Sequence, residues 1–203
     1  MFAMKKIIFI LTLLLSGMEI MAQTAQGTVT SGQWMLGYAG KDPGDVVASK
    51  NFARLLKNSV PGYIVAWDAR PLPQLIEDAL SGSYYDDPVS SVTVQSKRFV
   101  SVTNTMRGEA DLKVLFWCDV AKEPPAVLFL MMWLTQANNG FTGSASLDIY
   151  TKHAQGTVSL PPQFIASVHD LMQKTHVKSI EEITFHDAQN HQTKLSPSIL
   201  SLK

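Results

Sequence analysis

Apolar residues follow two different spacings along this chain, and the spacing changes near residue 91. Between residues 45 and 81 they recur every three to four positions, as on one face of an α-helix. Between residues 91 and 151 they alternate with polar residues or run continuously, as in β-strands. A second helical pattern and a short alternating segment follow. This order of elements predicts an α+β protein.

Three amphipathic helices are predicted, over residues 45–57, 71–81 and 161–174. Each carries its apolar side chains on one stripe, so each is expected to cover a larger core element. Asp45 is the predicted N-cap of the first helix, because its carboxylate can accept hydrogen bonds from free backbone N–H groups. The second helix has proline at its first position and Gly82 just past its end, which is the usual asymmetry of helix ends.

Five strands are predicted in the middle of the chain, joined by short segments rich in turn-forming residues. They cover residues 91–94, 99–104, 112–120, 126–135 and 145–151. Short links favour antiparallel pairing, because a parallel return needs a long crossover. Residues 126–134 are apolar at every position, which predicts a strand buried on both faces near the middle of the sheet.

The end of the chain alternates again and predicts a C-terminal β-hairpin. Residues 182–186 and 191–195 are its strands, residues 188–190 are its turn, and Pro197 ends it. Residues 33–39 are interpreted as a short strand or a packed loop. The predicted fold is therefore an antiparallel meander of about five strands covered by amphipathic helices, with a C-terminal hairpin.

The first 22 residues have the pattern of a secretory signal peptide. Lys5 and Lys6 precede an apolar run over residues 7–15, and a small residue, Ala22, stands before a polar stretch. The run is shorter than the roughly 20 apolar residues that span a bilayer. We therefore expect cleavage after Ala22 and export to the periplasm of a Gram-negative cell, with release outside the cell as an alternative.

The predicted mature chain divides into two parts. Residues 23–32 are small and polar and are expected to be a flexible N-terminal segment. Residues 33–203 show no sharp break in composition and are expected to form a single α+β domain. After cleavage no segment is long and apolar enough to be a predicted membrane span.

Composition excludes some classes of function. The chain has 203 residues, with 17 basic and 17 acidic side chains. Loss of residues 1–22 removes two lysines and one glutamate, which leaves 15 basic and 16 acidic residues and a net charge of −1. Nucleic-acid binding depends on a surplus of positive charge, so we expect no nucleic-acid partner.

Cys118 has no partner cysteine in the chain and lies in an apolar strand, so it is interpreted as a buried, inert thiol.

The five histidines all lie between residues 153 and 191, which is the first place to look for chemistry. His186, Asp187 and His191 would lie near the hairpin tip, and two imidazoles with a carboxylate are ligands that zinc accepts. Against a metal site, pairing of Asp187 with His191 would offset the two imidazoles and can turn them to opposite faces. The alternative, structural interpretation is a polar hairpin tip exposed to water. No cofactor is predicted.

Aromatic residues around the second helix suggest a binding surface. Tyrosine and tryptophan are enriched in interfaces because they provide a large contact area at low entropic cost. The weak candidate binding residues are Tyr63, Trp67, Arg70, Tyr84 and Tyr85. The competing interpretation is structural, with the first two anchoring the helix and the last two capping its end.

The leading functional prediction is an exported, non-catalytic binding protein of the periplasm, with another envelope protein as its partner. The alternative is a small periplasmic hydrolase, metal-dependent through the C-terminal histidines. The enzyme requires at least two histidines to converge with a carboxylate in a cleft. The binding protein requires an exposed apolar patch or a free sheet edge. A small-molecule carrier, the third possibility, requires an internal apolar cavity. The sequence leaves the oligomeric state open.

Overall fold

The computed structural model describes residues 31–82, 87–137, 140–152 and 159–201, in which seven strands form one sheet. The strands are β1 (Ser91–Gln95), β2 (Phe99–Thr105), β3 (Leu112–Asp119), β4 (Ala126–Ala137), β5 (Gly140–Tyr150), β6 (Ser179–His186) and β7 (Gln192–Leu195). The α-helices are α1 (Pro43–Val47), α2 (Lys50–Ser59), α3 (Leu72–Ser81) and α4 (Pro162–Lys174). Two 3-10 helices are η1 (Gly32–Tyr38) and η2 (Pro197–Leu200).

The sheet is mostly antiparallel, and its strands lie side by side in chain order. The exception is the pair of β5 and β6, which is parallel. The connection between these two strands contains α4, and a parallel return needs a crossover of this kind. β6 and β7 pair antiparallel and join the sheet through β5, so the sheet has seven strands rather than about five. The predicted α+β class is confirmed.

The single helix predicted over residues 45–57 is wrong, because the structure divides it in two. Asp42, not Asp45, caps α1 by accepting a 2.7 Å hydrogen bond from the Gly44 N–H. Ser49 then starts α2 by accepting one from the Asn51 N–H at 3.3 Å. A serine that bonds to nearby backbone competes with helix continuation, and that is why the chain breaks here.

Two of the helix predictions hold, and one short segment differs. α3 and α4 confirm the helices predicted over residues 71–81 and 161–174, each beginning one residue later. The segment interpreted as a strand or loop is instead η1, which already includes Gly32 of the expected flexible segment. A side chain at Gly32 would place Cβ only 3.0 Å from the side chain of Val120, just past β3, so the close approach of η1 favours glycine here.

The sheet has an apolar cluster on each face, because successive strand residues point to opposite sides. One face packs against α1, α2, α3 and η1, through residues such as Phe116 and Phe129. The opposite face packs against α4 and η2, through residues such as Trp117 and Leu130. Because β4 contributes to both clusters, its predicted burial on two faces is confirmed.

Cys118 lies within the first of these clusters and is fully buried. Burial raises the pKa of its thiol well above the usual range, and nearby Asp119 raises it further. A protonated thiol is neither a nucleophile nor a metal ligand, which agrees with the structural interpretation of this residue. Among the described helices, none is long and apolar enough to cross a membrane.

Candidate functional site

The helices on the first face of the sheet cover only part of it. The strand residues of that cluster come from β1 to β4, and Tyr150 at the end of β5 is the last of them. Beyond it, the same face of β5, β6 and β7 carries polar side chains that are exposed or half-exposed. We call this surface the uncovered face; it consists of Ser146, Asp148, Glu182, Thr184, Gln192 and Lys194.

A small cleft lies where the uncovered face meets the loop between α2 and α3. Its volume is about 150 Å³. We call it the Trp67 cleft; its walls include Trp67, Asp148, Tyr150, Thr184, His186 and Gln192. It therefore joins aromatic rings, a carboxylate, an imidazole and neutral hydrogen-bonding groups in a space about as large as one side chain.

The loop that carries Trp67 is closed by hydrogen bonds at its base. Ile64 and Pro71 form an isolated antiparallel bridge, and the Leu72 N–H donates to the Tyr63 carbonyl at 3.0 Å. Ile64 and Trp67 are the large apolar side chains that stand out as exposed in the described part of the chain, at 58% and 43%. The Trp67 ring meets Trp133 of β4 edge to face, with a centroid distance of 5.0 Å.

Asp148 is the anionic centre of the cleft. Its Oδ2 accepts a 3.0 Å hydrogen bond from the Trp133 indole, and its Oδ1 accepts a 2.9 Å bond from Nε2 of His186. The carboxylate side chain remains 25% exposed. Because a carboxylate has about four lone-pair sites, each oxygen can still accept a further donor from a ligand.

His186 is fixed on three sides. Its ring stacks on Tyr150 at 4.3 Å with an angle of 15° between the planes. Its Nδ1 lies 3.2 Å from Oδ1 of Asn190, a residue whose positive φ of 64° belongs to the left-handed region that asparagine tolerates. Both ring nitrogens thus lie within hydrogen-bond distance of other groups of the protein, and these contacts fix the orientation of the imidazole.

Two tyrosines near the cleft stay protonated. Burial is the main cause that raises the pKa of Tyr63 and of Tyr150 far above the ordinary value. The negative charges of Asp187 and of Asp148, respectively, add to this effect. The Tyr63 hydroxyl is buried and has no hydrogen-bond partner in the described part of the chain. These phenols can donate hydrogen bonds, but they cannot act as bases.

The residues of the predicted aromatic surface do not all line the cleft. Trp67 lines the cleft, whereas Tyr63 is half-buried beneath the loop. Arg70 is not available for a ligand, because its Nε donates to Asp68 at 2.9 Å and its Nη1 donates to Asp78 at 2.7 Å. Tyr84 and Tyr85 lie outside the described residues.

The predicted metal ligands do not assemble into one site. His186 turns to Asp148, while His191 pairs with Asp187 at 3.0 Å. The Asp187 N–H also donates to the His191 carbonyl, which gives the offset that counted against the site in the sequence. In the described ranges, no three His, Cys, Asp or Glu side chains are placed to hold a metal ion.

The remaining histidines lie away from the cleft. His169 bonds through Nε2 to the carbonyl of Leu200 at 2.8 Å, and His176 is an exposed residue just past α4. His153 lies outside the described residues. The convergence of two histidines and a carboxylate that the hydrolase requires is therefore not found among the described histidines.

Sequence reasoning missed Trp133, Asp148 and Asn190. The signal for Asp148 was present, since a carboxylate between Leu147 and Ile149 in a predicted strand has to face a polar environment. Nothing local marked Trp133 or Asn190, because their importance comes only from the residues they meet. Comparison of the chain with protein-family models, with curated proteins and with solved structures gave no match.

Proposed function

We propose that this chain is an exported, non-catalytic binding protein that contacts another protein of the cell envelope through the Trp67 cleft. The observation that carries the proposal is the position of the exposed apolar residues. Ile64 and Trp67 both belong to the loop that supplies one wall of the cleft, and exposed apolar side chains are expected on the contact surface of a binding protein. Exposed tryptophan is a frequent energetic centre of protein interfaces.

The sheet edge next to the cleft is a less favourable contact surface than the cleft itself. β7 is the last strand of the sheet, and no strand of the described residues pairs with its outer side. We treat β6, the turn at residues 187–191 and β7 as a C-terminal hairpin whose tip supplies part of the site. β7 has only four residues, includes Lys194 and is followed by Pro197, all of which discourage edge pairing with further strands. The proposed contact is therefore with the cleft and not with the edge.

The polar groups of the cleft are hydrogen-bonded to one another, and this favours binding over hydrolysis. A general base needs a free nitrogen or oxygen within hydrogen-bond reach of the reacting proton. Here His186 is bonded to Asp148 and to Asn190, and Asp148 is bonded to Trp133 as well. The network orients the cleft walls, and Asp148, whose side chain is 25% exposed, can accept a further hydrogen bond from a ligand. A net charge near zero gives no reason to propose a nucleic-acid ligand.

The export part of the proposal depends on residues 1–22. Fractionation of a Gram-negative cell that expresses the full chain should place the protein in the periplasm. N-terminal sequencing of that protein should begin at Gln23. A full-length protein in the membrane fraction would contradict cleavage.

Site-specific photo-crosslinking tests the binding part. A benzophenone amino acid is placed at position 67 or at position 192, and as a control at position 170, an exposed residue of α4 on the opposite face. Illumination of intact cells should give one discrete adduct from positions 67 and 192 and none from position 170. The absence of an adduct at position 67, or the same adduct from all three positions, refutes this site.

A further inference from the structure

The charge distribution around the Trp67 cleft is uneven and indicates what enters it. The described walls of the cleft contain one carboxylate and one imidazole, but no lysine or arginine. Along β5, β6 and β7 the charged residues other than His186 are Asp148, Glu181, Glu182 and Lys194. The three strands are therefore net negative whether His186 is neutral or protonated.

All of these carboxylates have hydrogen-bond partners within the protein, and Asp148 is the one that lines the cleft. Lys194 pairs with Glu182 at 2.8 Å, and Glu181 accepts hydrogen bonds from Ser144 and Thr135. Asp148 has an ion pair only with His186 in the described part of the chain, and its side chain remains 25% exposed. A ligand that enters the cleft therefore meets a carboxylate with free lone pairs.

From this charge and geometry we infer that the cleft receives an arginine side chain of the partner protein. This inference rests on the proposed function, whose site it shares. A guanidinium is planar, stacks on aromatic rings and donates two parallel hydrogen bonds to one carboxylate. Trp67 supplies an exposed ring for stacking, Asp148 supplies the acceptor, and the Gln192 and Thr184 side chains can receive the remaining donors.

Lysine fits this chemistry less well. Its ammonium is a compact, strongly hydrated point charge, and it cannot stack as a plane on Trp67 while bonding Asp148 twice. A neutral polar side chain would gain the hydrogen bonds but neither the charge pairing with Asp148 nor the cation–π attraction of the tryptophan ring. These differences make the arginine assignment testable with small probes.

The test records the indole N–H resonances of the four tryptophans by NMR while the mature protein is titrated with one probe at a time. The probes are N-acetyl-arginine amide, N-acetyl-lysine amide and N-acetyl-citrulline amide, the last being a neutral analogue of arginine with nearly the same shape. Trp67 and Trp133 report on the cleft. Trp34 of η1 and the buried Trp117 on the opposite face serve as internal controls.

The arginine probe should shift the Trp67 and Trp133 resonances in a saturable way and leave the other two unchanged. The lysine probe should bind more weakly, and citrulline should have no effect. Asp148→Asn should weaken the binding of arginine by about fivefold, the upper end of what is expected for one partly exposed charge pair. Asp170→Asn, an exposed carboxylate of α4, is the matched control and should bind arginine normally.

Gln192→Lys gives a second variant that does not touch the internal bonds of Asp148. It adds a positive charge to an exposed wall of the cleft and should weaken arginine binding in a protein that remains folded. Equal shifts with arginine and citrulline, or unchanged arginine binding in both Asp148→Asn and Gln192→Lys, overturn the inference.

The two proposals can fail separately. A photo-adduct from position 67 with no response to the arginine probe refutes the arginine assignment and leaves the protein partner in place. Saturable arginine binding with no photo-adduct refutes the protein partner and supports a cation-selective cleft.

Discussion

The two halves of one sheet face have opposite characters. Under α1, α2 and α3, the strands from β1 to β4 present buried apolar residues such as Val114 and Phe129. On the same face of β5, β6 and β7 the positions are filled by residues such as Asp148, Thr184 and Gln192, and no described helix covers them. The covered half holds the fold together, whereas the uncovered half stays accessible to solvent. Tyr150 marks the boundary, because it packs on Phe129 on one side and stacks on His186 on the other.

The largest expected difference between the halves is in stability. Phe129→Ala removes a fully buried ring from the covered half, and we expect the free energy of unfolding to fall by about 3–5 kcal/mol. Thr184→Ala on the uncovered half should change it by less than about 0.5 kcal/mol. Urea unfolding followed by circular dichroism measures both. Similar losses for the two variants would mean that the uncovered face is part of the core.

A substitution of His186 tests the boundary between the covered and the uncovered half of this sheet face. His186→Phe keeps an aromatic ring next to Tyr150 but removes the donor to Asp148. Because the Asp148 side chain is 25% exposed, water can replace part of this hydrogen bond, and its loss should cost about 1 kcal/mol of unfolding free energy. His191→Phe is the matched control, because the His191 side chain is 78% exposed and pairs only at the surface with Asp187. Equal effects of the two substitutions would show that the network around His186 does not stabilise the fold.

Two ion pairs compare a buried carboxylate with an exposed one. Hydrogen bonds from Arg98 hold the pKa of Asp119 below its ordinary value of 3.8, and Lys194 similarly lowers the pKa of Glu182. The Asp119 side chain is 4% exposed and that of Glu182 is 48% exposed. Asp119→Asn should therefore lower stability at neutral pH more than Glu182→Gln does.

The pH dependence of the Asp119 effect has a definite sign. A carboxylate with a depressed pKa in the folded state stabilises the fold above its unfolded pKa, and this contribution is lost as pH falls through the folded value. The stability difference between wild type and Asp119→Asn should thus be full at neutral pH and should shrink below about pH 3.8. A difference that grows on acidification would contradict the assignment.

A small effect on stability, and a large one on binding, is expected at Trp67. Trp67→Ala removes a half-exposed ring whose edge-to-face contact with Trp133 is worth about 1 kcal/mol. Trp117→Ala, at a fully buried position, should cost about 3–5 kcal/mol. Co-purification of the cross-linked partner should be lost in Trp67→Ala although the protein stays folded. Retention of the partner would move the site elsewhere.

Local patterns predicted the elements well where each element depends on its own residues. α3 and α4 lie within one residue of their predicted starts, since a single stripe of apolar residues and flanking prolines define them. The break between α1 and α2 was missed because an apolar stripe runs across it, and only the cap at Ser49 interrupts the helix. η1 was missed for a similar reason: Trp34 and Tyr38 suit a strand by alternation, but they pack edge to face across a helical turn.

The site could be predicted only in fragments. Trp67 was predicted as an aromatic binding residue and His186 as a metal ligand. The structure brings both to the walls of one cleft, which is a combination that neither prediction contained. Arg70 was selected for the same surface, but its donors are taken by Asp68 and Asp78. Which charges are paired depends on neighbours that are distant in the chain, and no spacing rule contains that information.

The sequence by itself determined α3 and α4, the five strands between residues 91 and 151, and the burial of β4 and Cys118, because hydrophobic period and turn chemistry are local. Tertiary structure alone decided that β6 lies parallel to β5, with Tyr150 paired to His186. That pairing sets the imidazole on the tyrosine ring and against Asp148, and the loop after α2 brings Trp67 over them. Contacts of this kind form only when the buried core fixes the register of distant strands, which is why the cleft is a property of the fold and not of any segment.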